Sequence, residues 1–109
     1  MGHDEHFLER LDRVTYDQTE LALALYRDHL AVRHLLDREA IPAEAPRVAI
    51  SLADADRGPF VIVARDGHFV TCLGEGMSPG PWPILPKAAL EGSLEFAATS
   101  RYRTQVARE

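Results

Sequence analysis

The chain has 109 residues, 46% of them hydrophobic and 27% charged, with seven glycines and seven prolines. That is the composition of one globular domain, or of a piece cut from a longer chain, and it excludes a disordered tail, a collagen-like repeat and a membrane-embedded segment. The net charge of −5 argues against nucleic acid as a partner, because phosphate binding draws most of its affinity from concentrated positive charge.

Cys72 is the single cysteine, so no internal disulfide can form and a secreted, disulfide-stapled scaffold does not fit. The first thirty residues lack the basic start and apolar middle of an export signal, and no apolar run reaches membrane-spanning length. The expectation is a cytoplasmic protein that does not engage the membrane. Met1, Gly2 and His3 read as a start that includes a cloning remnant and carry no argument.

Phe7, Leu8, Leu11 and Val14 recur at helical spacing, with Asp4 placed to cap a first helix. Asp17-Gln18-Thr19-Glu20 reads as a capping box for a second helix. Its wide stripe of Leu21, Leu25, Val32 and Leu36 implies contact on more than one side, and Pro42 ends it. A competing heptad-like pattern joins both segments into one long helix. The poor helix formers Thr15, Tyr16 and Asp17 favour a break.

Residues 47–52 alternate as a strand should. The runs 60–65 and 68–73 flank Asp66-Gly67, which predicts a hairpin with a two-residue type I′ turn. That turn pairs Arg65 with His68. It sets Val63 opposite Val70 and Val61 opposite Cys72 on one face, and Ala64 opposite Phe69, Ile62 opposite Thr71 and Phe60 opposite Leu73 on the other. Both faces are apolar, so something must cover each.

Residues 74–86 hold three glycines and four prolines and read as an ordered loop pinned by Met77, Trp82, Ile84 and Leu85. A short helix over 87–91, ended by Gly92, and a further helix capped by Ser93 close the chain. Its apolar stripe, from Leu94 to Val106, is thin. The fold class expected is therefore α+β: two N-terminal helices packed on a three-stranded antiparallel meander, followed by a C-terminal helical segment. The N-terminal helices are expected to cover the Phe60, Ile62, Phe69 and Leu73 face, leaving the valine face for the C-terminal helix, whose stripe is thin for the task, or for another protein surface.

No catalytic, cofactor or metal constellation stands out. His3 and His6 lack a third metal ligand, and His29 and His34 are five apart and cannot share a metal on one helix face. The Asp54-Ala55-Asp56 loop lacks the bidentate acid of a calcium site. Cys72 sits among valines and reads as structural. Asp66, His68 and Glu75 sketch acid–base work without a nucleophile or oxyanion donor, and the 74–80 glycines lack phosphate-loop spacing.

The hairpin followed by a helix loosely resembles part of the roadblock/longin group of regulatory domains over about residues 48–98. The strands that would follow in that group are absent. The functional expectation is a non-catalytic interaction or regulatory module. It would associate with itself or another protein through Val61, Val63, Val70 and the proline-framed Trp82. The alternative is a small-molecule sensor in which residues 74–86 lid a pocket between sheet and helices, with an enzyme as the third reading.

Overall fold

The structure, a computed structural model, describes residues 4–14, 16–38 and 41–108. His3 and Thr15 lie outside them, so the His3–His6 pairing and part of the first inter-helix junction do. The side chain of Val106 is likewise not described.

The α+β class holds. Three helices precede the sheet: α1 (Glu5–Val14), α2 (Thr19–Tyr26) and α3 (His29–Arg38). Strands β1 (Arg47–Ser51), β2 (Phe60–Ala64), β3 (Phe69–Leu73) and β4 (Ile84–Leu85) follow, and α4 (Lys87–Arg108) comes last. The expected second helix is thus two. Asp28 separates α2 from α3 and accepts the Ala31 amide on Oδ1 at 3.1 Å, the geometry of an N-cap. The continuous stripe of Leu25, Val32 and Leu36 hides that break in the sequence. The capping box at Asp17 is replaced by a 3-10 turn, Tyr16–Gln18, leading into α2, where Gln18 makes no side-chain cap hydrogen bond. At the other end of the chain, α4 runs through Gly92 without interruption, so the two predicted C-terminal helices are one.

The sheet is four-stranded and mixed, in the order β3-β2-β1-β4, rather than a three-stranded meander. β1, β2 and β3 are antiparallel neighbours, and β4 lies parallel to β1 with Ile84 beside Ala49 and Leu85 beside Ile50. Two residues between Pro83 and Pro86 carry no readable period, which is why the fourth strand is invisible in the sequence. The tie is a real one: the Ala49 amide donates to the Pro83 carbonyl at 2.8 Å.

The hairpin corrects the expected register near its turn. Ala64 N donates to His68 O at 2.9 Å and Gly67 N donates to Ala64 O, so the loop holds three residues rather than two. Only Gly67, at φ +95°, takes positive φ there, which makes this a type I turn with a glycine bulge instead of type I′. Val63 consequently faces Phe69, and Ala64 faces His68. Val70 is then the extra residue of a β-bulge, beyond which Ile62–Thr71, Val61–Cys72 and Phe60–Leu73 pair as the sequence predicts.

The helices cover the face opposite to the one expected. Val48, Ile50, Val61, Val63, Phe69, Cys72 and Leu85 from the sheet form one core with Phe7, Leu11, Leu25, Val32, Leu35, Leu36, Leu90 and Ala97 from the four helices. The bulge is the physical reason that Phe69 joins the valines: it turns Phe69 to their side and Val70 away. Phe69 meets Phe7 at 5.0 Å and Tyr26 at 5.2 Å between ring centroids, and this aromatic triangle seats α1 and α2 on the hairpin.

Candidate functional site

The side of the sheet away from the helices carries a second apolar cluster. Ala49, Phe60 and Ile62 are buried there, with Val70, Leu73 and Trp82 packed against them. What covers them is the connection from β3 to β4. These two strands run in the same direction at opposite edges of the sheet, so the chain between them must cross a sheet face. Gly76 N donates to Arg57 O at 3.2 Å near the start of that crossing. Trp82 near its end packs on the cluster, with the Arg47 guanidinium carbon 5.7 Å from the ring centre. Residues 74–83 therefore lie outside the sheet and cannot lid a pocket between sheet and helices.

Each residue singled out for interaction has a definite place. Val61 and Val63 are 0% exposed beneath the helices, so the valine face presents nothing to a partner. Val70 and Trp82 are half-buried on the other face. Met77 and Ile84, expected from the sequence to pin the loop, are instead 47% and 41% exposed and extend this surface. Met77, Pro79 and Ile84 line a groove of about 370 Å³ with Phe60, Arg57 and Glu75. Edge-to-edge pairing at β3 is hindered, because Arg10 Nε of α1 donates to the Cys72 carbonyl at 3.0 Å.

The remaining candidate groups are dispersed. Asp66 Oδ1 accepts the His68 amide at 3.0 Å and lies 3.5 Å from its Nδ1, and that backbone bond holds the carboxyl below its ordinary pKa. Glu75 follows the far end of β3 and is not part of that group. Cys72 is buried, and burial pushes its thiol up to about 12, the reverse of an activated nucleophile. His29 lines a small recess of about 220 Å³ with Asp4, Tyr26, Arg27 and Phe69. Tyr26 Oη donates to Asp4 Oδ2 at 3.3 Å there; burial, then the Asp4 charge, raises the tyrosine pKa. No group of three or more potential metal ligands occurs among the described residues.

His34 stands apart from His29, in the cleft between α3 and α4. Its Nδ1 is 2.9 Å from Ser93 Oγ, and its ring stacks on Phe96 at 3.9 Å between centroids. A serine beside an imidazole suggests nucleophilic catalysis. Ser93 is only 3% exposed, however, and it sits mid-helix, where the neighbouring backbone amides are spent on helical bonds instead of facing an oxyanion. The pair positions a histidine rather than forming a hydrolytic dyad.

These features define an α+β protein with helices on one side of a mixed four-stranded sheet and a crossing loop on the other. No protein-family model, curated protein or solved structure matches the chain. No helix among the described residues is long and apolar enough to cross a membrane.

Proposed function

We propose that this chain is a non-catalytic interaction module that pairs with a second copy of itself through the helix-free side of its sheet. The observation that carries this reading is the apolar groove at Phe60. Met77 and Ile84 lie exposed along it, on the side of the sheet where Val70, Leu73 and Trp82 are half-buried over a centre that is already dry. A second copy suits this surface because Arg57 and Glu75 line the same groove. In a two-fold arrangement each patch meets itself, so the arginine of one protomer can face the glutamate of the other. The dispersal of the titratable groups supports a binding role over an enzymatic one. A lone, buried Cys72 accords with the cytoplasmic setting expected for it.

Trp82 is the only tryptophan, so its emission reports this surface directly. Dimerisation at micromolar concentration, with a blue shift of Trp82 emission as concentration rises, is the expected result. Ile84→Asp should give a monomer with unchanged circular dichroism. Light scattering that finds a monomer at every accessible concentration, with constant emission, would refute the pairing.

A further inference from the structure

The α3–α4 cleft has a volume of about 480 Å³, and its lining combines charged, polar and aromatic side chains. His34 is fixed twice, by the 2.9 Å hydrogen bond to buried Ser93 and by the stack on Phe96, whose planes are 16° apart. The bond sets the rotation of the imidazole and the stack sets its plane. Phe96 nevertheless keeps 42% of its surface exposed. An aromatic pair is thus held rigid at the edge of an open space.

Gly92 helps to keep that space open. It lies within the 22-residue α4, lines the cleft, and a Cβ built on it would meet nothing within 4 Å. A glycine in a helix interior costs about 1 kcal/mol relative to alanine. No neighbouring atom demands its small size here, and the position opens directly onto the cleft.

The rim carries Arg38 and Arg103. Neither guanidinium is in an ion pair with a described residue, whereas Arg33, Lys87 and Arg101 are each paired with an acid. Among the described residues, Glu95 is the single acid in the lining. In a chain of net charge −5, this is a local excess of positive charge beside a preset aromatic surface.

We propose that the α3–α4 cleft binds a small organic anion, a carboxylate carried on a planar ring, with the carboxylate held by Arg38 and Arg103 and the ring set against the His34–Phe96 pair. This site is on the helical side of the molecule and does not depend on the self-pairing proposed for the sheet.

Two-dimensional NMR of the full chain tests it, with sodium benzoate as the probe and benzyl alcohol and cyclohexanecarboxylate as controls lacking the charge and the planar ring. Benzoate should give saturable shifts confined to the surroundings of His34, Ser93 and Phe96, with a Kd on the order of 1 mM for so small a ligand. Both controls, and benzoate on an Arg38→Gln/Arg103→Gln double variant, should bind about tenfold or more weakly. Gly92→Leu should fill the cleft and remove binding while helical circular dichroism is retained; should that variant fail to fold, the arginine pair decides. Shifts that do not saturate, shifts spread outside the cleft, an equal response to either control, or undiminished binding by a folded variant would overturn the proposal.

Discussion

Arg101 and Asp28 form a two-point ion pair that ties the C-terminal helix to the α2–α3 junction. Nη1 donates to Oδ2 at 2.9 Å and Nη2 donates to Oδ1, while Asp28 also caps α3 through the Ala31 amide. One carboxylate thus organises three helices.

Asp28→Ala should cost about 1–2 kcal/mol in urea unfolding, because it removes a cap together with a half-exposed ion pair. Asp28→Asn keeps a capping oxygen and isolates the charge, and should cost at most about 1 kcal/mol. The Arg101 hydrogen bond holds the Asp28 carboxyl below its ordinary pKa. A carboxyl lowered by folding stabilises above its unfolded value of about 4 and loses that contribution as pH falls through the folded value. The gap between wild type and Asp28→Asn should therefore be constant from neutral pH down to about 5 and close in stronger acid.

The same substitution should have opposite signs at two glycines. Gly67 has φ +95° at the hairpin turn, and a Cβ there would sit a comfortable 3.7 Å from Val32, so the obstacle is backbone strain rather than space. Gly67→Ala should cost about 1 kcal/mol or more. Gly92 is helical and unobstructed, and Gly92→Ala should stabilise by up to about 1 kcal/mol. Paired thermal or urea melts distinguish the two.

The Cys72 thiol should stay protonated and unreactive in the native protein across pH 7–9, because burial pushes its pKa up to about 12. Labelling by a disulfide reagent should track global unfolding and become rapid in denaturant. Stoichiometric labelling within minutes under native conditions at pH 8 would contradict the burial described.

Phe7 is fully buried, 5.0 Å from Phe69 and 5.3 Å from Tyr26 between ring centroids. Phe7→Ala should cost about 3–5 kcal/mol, a large share of the stability of a small domain. Hydrogen exchange should locate the loss in α1 and β3, the two elements this ring joins.

The candidate surfaces were only partly legible in the sequence. Trp82 between prolines marked the crossing segment, but its resting place on Ala49, Phe60 and Ile62 depends on where β4 pairs, and two residues cannot announce a strand. His34 and Ser93 are 59 positions apart, so no spacing rule could join them. Gly92 read as a helix stop because glycine is enriched there. Inside α4, packing along α3 supports the helix beyond it.

Local chemistry by itself determined the α+β class, the first helix, the hairpin at Asp66-Gly67 and the double-sided apolar character of its strands, since periodicity and turn preference act between near neighbours. Tertiary structure alone decided which side the helices cover and what closes the other. A bulge at Val70 turns Phe69 onto the valine side, and a fourth strand parallel to β1 drags residues 74–83 across the opposite side. Side-chain facing reverses with every one-residue slip, and a crossover is set by strand direction, so both outcomes wait on pairings that no short stretch of sequence contains.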